Sequence, residues 1–271
     1  MFKSINKIAG NKAITFIALM LYTLSNSVFA NTIPLSQEQV DKLIKNADNY
    51  RLDNASAKIV SKVTLYKNNL QDKTRSYSVY TRENRESLVV FDSPIEAGQK
   101  MLMLGDNYWL LMPKSRRPIR ITPMQKLLGE ASIGDISTLT WSEDYQGEWL
   151  KEEQLTVTNS SGIQALVTTQ QLLLKAKTKG ASYFTIKLWL DKKSGFPIKA
   201  DLYLQSGKLA KQALFIKGKR DQQDKVVSMR LDDSIQKNQH TVIDYKSITP
   251  MQIDDKYYNP AYLSRSKNIS L

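Results

Sequence analysis

Tyr183-Phe-Thr-Ile-Lys-Leu-Trp-Leu-Asp-Lys-Lys-Ser-Gly-Phe-Pro-Ile-Lys-Ala-Asp-Leu-Tyr-Leu-Gln205 reads as two strands joined by a turn. Phe184, Ile186, Leu188 and Leu190 alternate with Tyr183, Thr185, Lys187 and Trp189, so the first set is expected inward and the second outward. The stretch 191–197, with Gly195 and Pro197, is the turn. After it Ile198, Ala200, Leu202 and Leu204 alternate with Lys199, Asp201, Tyr203 and Gln205. Two runs this close pair antiparallel, because a short connection leaves no room for a crossover.

The same grammar extends both ways. Upstream, Ile59, Ser61, Val63 and Leu65 share one face of a strand, and Asn68-Asn69 turns it into a second strand over 73–82. A third over 87–91 stops at Asp92-Ser-Pro94, and strands over 101–104 and 108–112 flank the hairpin turn Gly105-Asp-Asn107. Downstream, runs over 150–158, 165–174, 209–218, 226–235 and 240–248 alternate likewise. Two pieces break the pattern. Val40, Leu43, Ile44 and Ala47 recur at helical spacing behind a Ser36 N-cap. Residues 123–145 are not strand-like, and Met124, Leu127 and Leu128 predict a short helix there. The expected fold is therefore mainly β (α+β): about 11–13 antiparallel strands in one curved sheet that closes partly or wholly into a barrel. No Pro-, Gly- or Ser-rich linker divides it, so residues 31–271 are read as one domain.

The N-terminus has the zones of a secretory signal. Lys3, Lys7 and Lys12 precede an apolar run over 13–24, and Val28 and Ala30 stand at −3 and −1 of a cleavage site after Ala30. The run is shorter than the ~20 residues of a spanning helix. The chain has no cysteine, hence neither a lipid-attachment site nor a disulfide, and a periplasmic location, free of any anchor, is expected. The net charge of +13 suits anionic partners, but export argues against nucleic acid. Basic residues cluster at Lys114-Ser-Arg-Arg117 and Lys217-Gly-Lys-Arg220.

One histidine, His240, and no cysteine leave no triad and no typical zinc or copper site. Asp232-Asp233 and Asp254-Asp255 are sequence neighbours, which on a strand point to opposite faces. The chain is read as not an enzyme, with no catalytic residue, metal or cofactor; a carboxylate-only hydrolase stays open as a third reading. What remains is apolar surface. Met101-Leu-Met-Leu104 and Tyr108-Trp-Leu-Leu-Met112 are apolar on both faces, which demands cover on both.

Here the chain resembles a known family. Phe91-Asp-Ser-Pro94, Gly98-Gln-Lys-Met-Leu102, Asp106-Asn-Tyr-Trp-Leu-Leu-Met-Pro113 and Arg116-Arg-Pro-Ile-Arg-Ile121 follow one another as in the outer-membrane lipoprotein-sorting (LolA-like) proteins. The family's Gly-Ser-Asp-Phe block after the arginines is altered here to Gly134-Asp-Ile-Ser-Thr138. The resemblance implies an incomplete antiparallel barrel with helices across its opening, and a periplasmic carrier that shields acyl chains of a lipoprotein or lipid on the way to the outer membrane. It implies a lid made of Val40, Leu43, Ile44 and Ala47, and a cavity wall drawn from Leu102, Leu104, Trp109, Leu111, Phe184, Ile186, Leu188, Ile198 and Leu202. Arg116, Arg117 and Arg120 would contact a headgroup or a partner. The implied partners are acyl chains, an inner-membrane transporter and an outer-membrane acceptor, with the chain itself a monomer. The alternative is a non-catalytic periplasmic adaptor of an envelope transporter, with a filled barrel.

Overall fold

The computed structural model describes residues 34–52, 56–115, 117–158, 164–234 and 236–265. The expected signal over 1–30 and Arg116 lie outside the described residues. In chain order the elements are α1 (Gln37–Arg51), β1 (Ala57–Lys67), β2 (Leu70–Arg82), β3 (Glu86–Phe91), β4 (Lys100–Leu104), β5 (Asn107–Leu111) and β6 (Ile119–Ile121). Next come β7 (Lys126–Leu128), β8 (Ala131–Ser132), α2 (Ile133–Ser137), β9 (Tyr145–Thr158), β10 (Gln164–Ala176) and β11 (Thr185–Asp191). Last are β12 (Pro197–Tyr203), β13 (Leu209–Arg220), β14 (Gln223–Asp233), β15 (Gln239–Pro250), a 3-10 turn Asp255–Tyr258 and α3 (Pro260–Arg265).

Thirteen strands form one sheet in the order β6-β5-β4-β3-β2-β1-β15-β14-β13-β12-β11-β10-β9. Its pairings are antiparallel, and the edge strands β6 and β9 do not meet, so the barrel is incomplete as expected. Local chemistry sets the meander. Asn68-Asn69, Asn84-Arg85 and Asp221-Gln222 all have positive φ, the left-handed pair that two-residue hairpins need. Bulges at Val60/Ser61, Gln171/Leu172, Trp189/Leu190 and Ile216/Lys217 interrupt the ladders. Each bulge bends its strand and increases local twist, which is how so long a sheet curls.

The sheet has an inner face carrying the main core and an outer face. α1 starts with the capping box of Ser36 and Gln39 and buries Val40, Ile44 and Ala47 against the inner face. Gly147 on β9 permits this approach, since a Cβ there would lie 2.4 Å from Ile44 Cδ1 and 2.8 Å from Val40 Cγ1. Residues 122–144, holding β7, β8 and α2, cover the rest of that face through Ile133, Ile136, Leu139 and Trp141. The expected helix at Met124–Leu128 is displaced: Leu127 and Leu128 belong to the small β7-β8 pair, and the helix forms at Ile133–Ser137, where Ser132 and Asp135 supply a capping box.

On the outer face, Leu102 and Leu111 are buried with Tyr80 and Leu88, and Leu104 and Trp109 pack beside them. Their cover is the C-terminal segment, which lays Tyr258, Leu263, Met251 and Ile253 over them. Arg82 pins this strap, stacking 3.8 Å over the Tyr258 ring and pairing with Asp255. Sequence periodicity showed that both faces of β4 and β5 needed cover without showing what provides it.

Candidate functional site

The inner face under α1 and residues 122–144 is the candidate site. Its cover is held at its ends by polar groups and in between by apolar packing. Asp48 accepts from the backbone N–H of Trp141 at 2.6 Å and of Ser142 at 2.9 Å. Burial raises its carboxyl pKa, with the two amides and Arg51 opposing. Tyr50 Oη and Asn46 Nδ2 donate to the Ser194 carbonyl, and Gln37 Nε2 to that of Gly147. At the far end of the helix, Lys225 donates to Asn49 O and Arg220 to Arg51 O, cations placed at the negative end of the helix dipole.

The other half of the cover is anchored by a buried charge cluster. Lys211 on β13 pairs with Asp135 at 2.8 Å, and both side chains are 3% exposed. Tyr183 Oη donates to Asp135 at 2.7 Å, and Ser132 contributes its N–H and its hydroxyl. Burial alone would raise the Asp135 carboxyl; the Lys211 charge and these donors outweigh it and hold the group below its ordinary value. Burial, reinforced by Asp135, pushes the Tyr183 hydroxyl well up, so it stays a donor. Beyond this cluster, Arg85 links Asp106 and Asp144 at 2.8 and 2.6 Å. Tyr108 Oη donates to Gly180 O, and burial pushes that hydroxyl to about 12.

Between cover and sheet is an inner cavity of about 40 Å³, lined among others by Arg51, Trp141, Tyr183, Ile186, Leu202, Phe215 and Met229. A second, open mouth of about 230 Å³ lies beside it, with Val157, Val167, Phe196, Ile198, Phe215 and Ile216 in its wall. A groove of about 580 Å³ runs along the solvent side of α1, past Leu43 and Lys42.

Most of the sequence-predicted residues separate into these places. Val40, Ile44 and Ala47 face the sheet, while Leu43, partly buried against the same core, also lines the outside groove. Ile186 and Leu202 line the inner cavity, Leu188 is buried in the core and Ile198 is at the mouth. Phe184 is a correction: it is 53% exposed, whereas Tyr183, expected outward, is 5% exposed. β11 starts only at Thr185, and ahead of it the backbone is irregular, so the parity of the strand does not extend back to Phe184. Trp189 does face away from Leu188, but Glu153 and Lys199 bury it, at 2.6 Å from its Nε1 and 4.6 Å from its ring. Leu102, Leu104, Trp109 and Leu111 are the second correction: all four pack in the outer-face cluster, away from the inner cavity. Arg120 stacks 4.7 Å over Trp109 and donates to Asn107, and Arg117 is exposed beside Ser115. His240 is the second residue of β15, stacked on Tyr66.

Sequence reading missed Arg51, Asp48, Trp141 and Phe215. A signal for the first two existed: the buried stripe of α1 runs Val40, Ile44, Ala47, Asp48, Arg51, at continuous helical spacing. Trp141 and Phe215 gave none, because their contact joins distant segments.

Among the described residues no helix is long and apolar enough to cross a membrane, and no cluster of His, Cys, Asp and Glu could hold a metal ion. No curated protein matches the chain. A LolA superfamily protein from Nitrosomonas europaea superposes with a TM-score of 0.73 at 23% identity, covering 82% of this chain and 98% of that one. A DUF1329 family protein from Desulfovibrio piger gives 0.64 at 21%, covering 84% and 98%. A domain from Vibrio parahaemolyticus named for outer membrane lipoprotein sorting gives 0.63 at 21%, covering 85% and 100%. A protein-family model described as "Uncharacterized protein" matches residues 83–265. The chain therefore belongs to that family, and its fold is LolA-like.

Proposed function

We propose that this chain is a periplasmic carrier that shelters the acyl chain of a lipoprotein or lipid on the inner face of its sheet. The observation that carries the reading is the seat of α1. Its Val40, Ile44 and Ala47 cover apolar sheet surface that would otherwise be open, and they do so by packing that another apolar group could replace. Each acyl CH₂ moved out of water gains about 0.8 kcal/mol, so a chain of ordinary length outweighs the few contacts of one helix. The cover then works as a lid. The name of the Vibrio parahaemolyticus domain points the same way.

One observation favours the adaptor reading instead: with the cover seated, the inner cavity measures only about 40 Å³, as in a filled scaffold. Purifying the exported protein and extracting it for mass spectrometry separates the two. Copurified lipid together with saturable binding of a fluorescent fatty acid supports the carrier. A protein that is empty and does not bind sinks it and leaves the adaptor.

A further inference from the structure

Arg51 is the last residue of α1, 4% exposed, and its guanidinium lies against the inner cavity. It stacks 4.2 Å from the Trp141 ring and 5.8 Å from that of Phe215. Its Nε and Nη1 are buried without a well-aligned protein acceptor, and the Tyr245 hydroxyl, which the guanidinium approaches, finds no other partner. The nearby acid is engaged elsewhere, since Asp48 directs its two oxygens to the amides of Trp141 and Ser142. Buried guanidinium donors without well-aligned acceptors are costly, and they mark a place for oxygens from outside the chain. Arg220 and Lys225 converge on the same helix end, adding positive charge where Lys217-Gly-Lys-Arg220 leaves the sheet.

The surroundings say what those oxygens are attached to. Phe215 is a wall of both the inner cavity and the open mouth, so a group at Arg51 and a chain in the mouth are divided by one side chain. The mouth is mostly hydrocarbon (Val157, Val167, Phe196, Ile198, Ile216); its polar members are Thr158, Asp191, which accepts from Ser194, and Lys217, whose Nζ lies 4.7 Å over the Phe196 ring. Apolar walls ending at a buried guanidinium match an amphiphile with one chain and an anionic head.

We propose that the cargo is a single-chain amphiphile with an anionic head, its oxygens on Arg51 and its chain in the mouth beyond Phe215. This rests on the carrier reading and narrows its cargo. Because Arg51 belongs to α1, head binding also reports directly on the lid.

Equilibrium dialysis of the exported protein against palmitate, hexadecyl phosphate and methyl palmitate tests it. At least one of the two anions should bind ten-fold or more tightly than the neutral ester, and which one does so sorts carboxylate from phosphate. Arg51→Gln should remove that preference while leaving ester affinity as it was, and Arg51→Lys should retain part of it. Ile216→Glu, at a partly exposed position and so tolerant of the change, should weaken all three ligands and the anions most. Equal affinity of acid, phosphate and ester in the unaltered protein overturns the proposal and leaves the carrier standing. So does a preference that survives in a cooperatively folded Arg51→Gln variant. Binding of none of the three overturns both.

Discussion

Asp135 and Lys211 show what one buried pair contributes to the cover. Removing one partner leaves the other as an uncompensated buried charge, so Lys211→Met should lower unfolding stability by about 3–5 kcal/mol in urea titrations. The pair also carries a pH signature. Asp135 is held below its ordinary value, so its contribution is complete above an unfolded value of 3.8 and is lost as pH falls through the folded one. Asp48 acts in the opposite sense, since burial raises it and its contribution fades as pH rises through its folded value. Comparing melting temperatures of the unaltered protein and Asp135→Asn isolates the first effect: the gap between them should narrow as pH drops from 7 to below 4. A constant gap would mean that folding does not lower the Asp135 pKa. Ile44→Ala, by emptying a 2%-exposed site, should cost about 2–5 kcal/mol in the same titration. At this scale the sequence was readable for apolar residues and poorly so for charged ones. Ile44 announces itself by its spacing, whereas Asp135 gains its partner from β13, far along the chain.

At the scale of elements, two pieces lie on opposite faces of one sheet and should separate by experiment. α1 touches β9 where Gly147 stands against Val40. A Cβ at Gly147 would lie 2.4 Å from Ile44 Cδ1 and 2.8 Å from Val40 Cγ1, so Gly147→Ala should loosen the seat of α1. If α1 is the lid, this variant should bind fluorescent fatty acid more tightly than the unaltered protein, because the seated helix competes less with the ligand; equal affinity in a cooperatively folded variant would show that α1 is not the lid. On the other face, Leu263 is 1% exposed in the strap over Leu102 and Leu111. Leu263→Ala should cost about 2–5 kcal/mol of stability while leaving acyl binding unchanged. A parallel loss of binding would put the cargo under the strap. The helix α1 was legible from its cap and stripe, because both are local. The strap was not: its apolar residues are few and irregularly spaced, and only the exposed face of β4 and β5 gives them a place.

For the whole molecule, an open sheet of thirteen strands with a removable cover predicts stability that depends on cargo. A fatty acid at a hundred times its Kd should stabilise the folded state by about 2.7 kcal/mol by mass action, seen as a rise in melting temperature. No rise at that saturation would favour the filled scaffold.

The sequence by itself determined the strand meander, the mainly-β architecture and the family likeness, because alternation, turn residues and motif order are written within short windows. Tertiary structure alone decided which face each strand presents to which cover. Parity is reset wherever a bulge or an irregular entry adds a residue, as at Phe184, and a strand apolar on both faces carries no mark of which side is inner. It also decided where Arg51 points, since a buried cation is defined by the Trp141 and Phe215 that distant segments bring to it.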